Sequence, residues 1–178
     1  MDRLITKVEI IEQPYSGEFK EVIYDIPNKF HSQDWAWIKF EDENWNEWCR
    51  QFRGAPIAAV LSEKYKQVLV LTSDYLVQIN CINGKLTQFE AIYESQRIYQ
   101  DLTVTPSGEF IIADYYDIEV IGNTLSNRKL LDKPMAMDMI KFNGWSNDIL
   151  SIVCDELGTT RNKVALQLDA STFEISFK

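Results

Sequence analysis

The chain of 178 residues is short of the residues that interrupt or staple a fold, with seven glycines, five prolines and three cysteines. Scarce glycine and proline exclude a long low-complexity or disordered stretch. Cys49, Cys81 and Cys154 are odd in number and widely spaced. That excludes a disulfide framework and leaves free, buried thiols as the reading. Histidine is rarer still: the single one lies in Phe30-His31-Ser32-Gln33-Asp34 and reads as a surface turn residue rather than a catalytic base. No Gly-x-Ser-x-Gly elbow, His-Glu-x-x-His helix, Cys-x-x-Cys pair or phosphate-cradling glycine loop occurs. The expectation is a protein that is not an enzyme, with no cofactor and no metal. No run of about 18 apolar residues is present, and the start of the chain lacks the basic end and apolar core of a secretory leader. A cytoplasmic location without membrane association is therefore expected. Basic residues are also in deficit, 18 against 27 acidic, a net charge of −9. Such a charge opposes binding to nucleic acid or anionic lipid.

What the chain does hold is apolar material, at 46% hydrophobic residues with five tryptophans. That suffices for one domain over residues 1–178 built without disulfides or metal. Three apolar runs end in aspartate: Val68-Leu69-Val70-Leu71-Thr72-Ser73-Asp74, Phe110-Ile111-Ile112-Ala113-Asp114 and Ile149-Leu150-Ser151-Ile152-Val153-Cys154-Asp155. Their spacing of about 40 residues marks repeats of short strands and polar turns. Each run follows a first strand, at 57–61, 102–104 and 137–142, closed by a polar turn. Continuous apolarity predicts that the second strand is covered on both faces. The third strand alternates, as at Ile118 and Val120 or Val164, Leu166 and Leu168, which predicts one wetter face. Weaker fourth strands follow at 85–93, 128–131 and 172–177, giving repeats 54–93, 94–134 and 135–178. Residues 1–53 supply a further unit, with strands at 4–12, 18–26, 35–40 and 48–53 and a hairpin turn at Pro14-Tyr15-Ser16-Gly17.

This four-stranded layout resembles a β-propeller blade from about residue 56 to 178. The resemblance implies an all-β fold of stacked four-stranded antiparallel blade-like repeats, a small or partial β-propeller, with a twisted β-sandwich as the alternative. The Gly-His and Trp-Asp dipeptides and the kelch glycine pair of known propeller repeats are missing, so it implies no function.

The acids are not evenly spread. In a blade, bends joining strands two and three share a rim with the connections between blades. That gathers Asp74, Asp114 and Asp155, with Asp101, Asp117, Asp132 and Glu156, on one border, with Lys64, Lys66 and Lys85 opposite. Aspartate is also a preferred turn residue in its own right. A second acidic surface lies in Phe40-Glu41-Asp42-Glu43-Asn44-Trp45-Asn46-Glu47-Trp48, where four carboxylates surround two tryptophans within nine residues. It reads as a loop or hairpin tip. An exposed indole beside carboxylates suits recognition of a basic protein, and the competing reading tucks Trp45 and Trp48 beneath the hairpin. Trp35 and Trp37 share a strand face and are expected to cap the core.

The partner expected is a basic protein met through Glu41, Asp42, Glu43, Trp45, Glu47, Trp48, Asp74, Asp114 and Asp155. In size, acidity and lack of catalytic chemistry the chain resembles bacterial immunity proteins, which implies occlusion of a cognate toxin's active site. Two other readings stand beside this one. A central cleft lined by Tyr115, Tyr116 and Asp117 suits a sugar-like ligand, bound or hydrolysed. An open sheet edge suits a scaffold subunit.

Overall fold

The computed structural model describes residues 4–24, 26, 32–159 and 162–178, with the backbone alone at Glu21. His31 lies outside the described residues. Among those described, the chain is all β, with sixteen strands and one four-residue helix, α1 (Ile92–Ser95). The strands form four sheets of four. The chain divides into two compact units, Met1–Gln96 and Arg97–Lys178, and each holds two sheets.

In the first unit, the first sheet is built from β1 (Ile5–Ile11), β2 (Glu21–Tyr24), β3 (Trp35–Asp42) and β4 (Glu47–Arg53), in the order β1-β3-β4-β2. After β1 the chain does turn, one residue later than expected, over 15–18, with the Glu18 amide donating to the Tyr15 carbonyl at 3.0 Å. It does not make the expected hairpin, because β1 and β2 lie on opposite edges of the sheet. β3 turns Ala36, Ile38 and Phe40 inward at 0% exposure, and both of its edges are taken by long antiparallel partners, β1 and β4. The short β2 instead runs parallel to β4, where the Tyr24 ring stacks on Phe52 at 5.2 Å between centroids. This pair is the exception to the expected antiparallel plan. Trp35 and Trp37 share a face as expected, but it is the face opposite Ala36 and Ile38. They are half-buried there, and the Arg53 guanidinium lies 3.8 Å from the Trp35 ring centroid.

The second sheet runs in chain order through β5 (Pro56–Ser62), β6 (Gln67–Thr72), β7 (Tyr75–Asn80) and β8 (Leu86–Ala91), all antiparallel. Val68, Leu69, Val70 and Leu71 are all at 0% exposure, so β6 is covered on both faces as its composition predicts. Val68, Val70, Val77 and Ile79 share a core with Ile5, Ala36, Ile38 and Phe40 of the first sheet. The step from β4 into β5 passes through Gly54 at φ +103°, and a Cβ there would lie 2.7 Å from Thr72 Oγ1 and 2.8 Å from the Asp74 amide. Only glycine fits. Thr72 then ties the two sheets by donating to the Arg53 carbonyl at 2.8 Å.

The second unit repeats the hairpin plan twice, with β9 (Asp101–Val104), β10 (Phe110–Ala113), β11 (Ile118–Ile121) and β12 (Arg128–Leu130), then β13 (Met137–Ser146), β14 (Ile149–Glu156), β15 (Lys163–Asp169) and β16 (Ile175–Phe177). Its core joins Ile111, Ala113 and Ile118 to Leu150, Ile152, Leu166 and Leu168. Two polar ties reinforce it, the Phe142 amide to Asp101 Oδ2 at 2.9 Å and Trp145 Nε1 to Thr103 Oγ1 at 3.0 Å. The wetter face expected of the third strand holds in β15, where Lys163 and Ala165 are exposed. It fails in β11. Glu119 is buried there because Arg97 and Arg128 reach its carboxylate, at 2.5 and 3.4 Å, and a paired charge tolerates burial that a lone one does not.

Candidate functional site

The acidic tryptophan segment is a hairpin tip, with β3 and β4 on either side and residues 43–46 across the end. Its geometry depends on Asp42. This carboxylate is 1% exposed and accepts from the Asn44 amide at 2.8 Å, the Asn46 amide at 3.0 Å and Asn46 Nδ2 at 3.0 Å. The Asp42 carbonyl also takes the Trp45 amide at 3.0 Å. The tip is thus an aspartate-organised turn of the kind in which a side-chain acceptor replaces backbone acceptors. Asp42 points inward and offers no charge to a partner.

Trp45 sits at the apex with φ +63°. A tryptophan rarely adopts this conformation, and it is held there by the Asp42 bonds. Its indole is 82% exposed. Trp48 behaves differently: it is half-buried and stacks on Phe40, with centroids 5.8 Å apart. The structure therefore divides the two tryptophans between the alternatives, one outside and one tucked in. Glu43 and Glu47 are exposed and Glu41 is half-buried. Glu47 meets Lys39 at 3.2 Å, and that hydrogen bond, before any other cause, holds the Lys39 ammonium above its ordinary value.

The aspartates expected along a common border serve local structure. Asp74, in the β6–β7 bend, accepts from the Ser32 amide at 2.7 Å and Ser73 Oγ at 2.8 Å. Asp114, in the corresponding β10–β11 bend, accepts from the Tyr116 and Asp117 amides at 2.8 Å each. Asp155 is not in a bend: it lies inside β14, 9% exposed, and takes Lys163 Nζ at 2.9 Å. Tyr115 and Tyr116 lie side by side at 6.1 Å with Tyr116 half exposed, and Asp117 is occupied by Lys133 at 2.6 Å.

Beside the tip, a cleft of about 570 Å³ opens among the β2–β4 edge, the hairpin end and the β7–β8 turn. Trp45, Trp48 and Val22 form its apolar walls, and Lys20 and Arg50 bring positive charge. Arg50 Nη1 donates to the Tyr24 hydroxyl and to the Gly84 carbonyl. The guanidinium lies over the Tyr24 and Phe40 rings, 5.0 and 5.3 Å from their centroids. Burial pushes the Arg50 pKa down and the Tyr24 pKa up, each partly offset by the other group. In the sequence Arg50 carries one signal only, its place two residues after Trp48, which puts both on one strand face. Among the described residues, no group of three or more His, Cys, Asp or Glu converges to hold a metal ion, and no helix is long and apolar enough to cross a membrane.

The four sheets of four strands, three of them in simple hairpin order, define the class, an all-β protein of blade-like repeats. No family model and no curated protein matches the chain. Among solved structures it is similar to BBS1N in complex with ARL6DN, at 9% identity and a TM-score of 0.41, over 80% of this chain and 49% of that one. The chain thus spans about half the length of that structure.

Proposed function

We propose that this protein is a non-enzymatic binding module that engages a basic protein surface through the β3–β4 tip. The observation that carries this reading is Trp45, a large apolar side chain held outside the fold on a turn already ordered by Asp42. A rigid exposed indole gives up little entropy on binding, and burying it contributes about 2 kcal/mol or more. Tryptophan in that position is the usual centre of an interface hot spot. Glu41, Glu43 and Glu47 surround it, and the net charge of −9 steers a basic partner toward it. Asp42, Asp74, Asp114 and Asp155 support the scaffold, and Trp48 supports the base of the tip. Neutralisation of a basic toxin is the most specific form of this function.

The test is affinity capture from the source cell with wild type, Trp45→Ala and a Glu43→Gln, Glu47→Gln double variant. One basic protein should bind with Kd below about 1 μM. Trp45→Ala should weaken it about thirty-fold or more, as expected for a hot-spot residue. A partner held equally well by Trp45→Ala would remove the tip from the interface.

A further inference from the structure

The cleft beside the tip differs in charge from the tip itself. Glu43 and Glu47 are exposed on either side of Trp45, whereas Lys20 and Arg50 bring two positive charges to the cleft, and Glu47 meets Lys39 at 3.2 Å. The Arg50 hydrogens are taken or enclosed. Nη1 donates to the Tyr24 hydroxyl and the Gly84 carbonyl. Nε is enclosed, as is Trp48 Nε1, and Nη2 packs against Gly84, where a Cβ would stand 2.8 Å from it. Apart from exposed Lys20, Asn46, Glu47 and Asn83, the cleft presents the apolar surface of Trp45, Trp48 and Val22 and the charge of half-buried Arg50.

We infer that this cleft receives an uncharged aromatic side chain of the basic partner, whose lysines or arginines stay outside it, beside Glu43 and Glu47. The inference rests on the reading of the tip as the partner-binding surface. Charge decides between occupants. A partner lysine or arginine inside the cleft would be repelled by Lys20 and Arg50, so the charges drawn to the acidic tip are not the ones that fill its neighbour. A carboxylate would lose water without gaining the Arg50 hydrogens, and a charge buried without hydrogen bonds is destabilising. An aromatic ring needs neither hydrogens nor a counter-charge. Its π face is attracted to a guanidinium within about 6 Å, as the Tyr24 and Phe40 rings already are, with centroids 5.0 and 5.3 Å from Arg50. The same ring packs favourably against indoles. An aliphatic chain fills the space without these attractions. At about 570 Å³ the cleft has room for one such ring.

The full chain is titrated with acetylated, amidated tripeptides Lys-Phe-Lys, Lys-Leu-Lys, Lys-Glu-Lys, Lys-Lys-Lys and Gln-Phe-Gln. Binding is followed by calorimetry and by the indole resonances in NMR spectra, with Trp45→Ala assigning the Trp45 signal. Lys-Phe-Lys should bind with Kd of about 1 mM or tighter and shift that signal. Lys-Leu-Lys should bind about three-fold or more weaker, the loss expected for ring interactions beyond buried area. Lys-Glu-Lys and Lys-Lys-Lys should bind about ten-fold or more weaker, having no apolar group to bury. Trp45→Ala removes an exposed wall and should weaken Lys-Phe-Lys about ten-fold or more. Gln-Phe-Gln separates this inference from the reading beneath it. It should bind several-fold weaker than Lys-Phe-Lys at low salt, the gap closing by about 0.5 M. Equal binding of the two at low salt, with phenylalanine still ahead of leucine, supports the cleft and counts against a basic partner. The inference is overturned if no peptide binds at about 10 mM, if the leucine, glutamate or lysine peptide binds as tightly as Lys-Phe-Lys, or if Trp45→Ala binds Lys-Phe-Lys as wild type does.

Discussion

Asp42 and Trp45 differ by three positions, yet their substitutions should separate stability from binding. Asp42→Ala strips the acceptor from two amides and the Asn46 side chain. It should cost about 1–3 kcal/mol in urea unfolding. Trp45→Ala removes an indole that is 82% exposed and should shift stability by no more than about 0.5 kcal/mol while weakening partner binding about thirty-fold or more. Equal losses of stability would mean that the indole is part of the fold. The cysteines give a second check at this scale. All three are free and buried, and burial pushes the Cys81 thiol up to about 12. Thiol labelling at pH 8 should therefore be slow in the folded protein and fast in denaturant. Rapid labelling of Cys81 without denaturant would contradict its burial.

Strands β6 and β10 carry the clearest energetic prediction of any element. Leu69 and Ile112 are 0% and 1% exposed, so truncating either to alanine should cost about 2–5 kcal/mol. Indifference would mean that the second strands are not enclosed. The tie between β9 and β13 predicts a pH effect. Burial raises the Asp101 carboxyl above its ordinary 3.8, against the lowering effect of the Phe142 and Leu102 amides and of Lys141. A raised acid favours the protonated form in the fold, so its contribution is fully present below pH 3.8 and fades as pH rises through the folded value. Asp101→Asn keeps an acceptor for the Phe142 amide without the buried charge. It should be at least as stable as wild type at pH 7, with that advantage vanishing in acid. Greater stability of wild type at pH 7 would reverse the sign argued here.

For the molecule as a whole, the charge of −9 makes association with a basic partner salt-dependent. The on-rate should fall steeply between low salt and about 0.5 M, as the screening length drops below about 10 Å. The off-rate, set by buried contacts such as Trp45, should change little. An on-rate indifferent to salt would leave the acidic surface without a role in encounter.

Much of this architecture was legible in the chain. The apolar runs ending at Asp74 and Asp114 announced covered second strands and their bends, because burial on both faces admits only apolar residues and a turn needs an acceptor for its amides. The turn residues at the end of β3 announced a hairpin tip. Other features were not legible, since alternation says which residues share a face but not which face is covered. Trp35 and Trp37 therefore pair correctly on the opposite side from the one expected, and Glu119 disappears under two arginines. Asp155 falls inside a strand because β14 extends past it. The placement of β2 beside β4, and with it the Arg50 cleft, also came only with the fold.

The amino-acid order alone determined the local matters: strand periods, turn chemistry, free thiols and net charge, all of which depend on neighbours within a few residues. The tertiary structure decided which acids are spent inside the protein and which tryptophan faces out. Those depend on what packs across from each side chain, and residues that meet there are far apart along the chain.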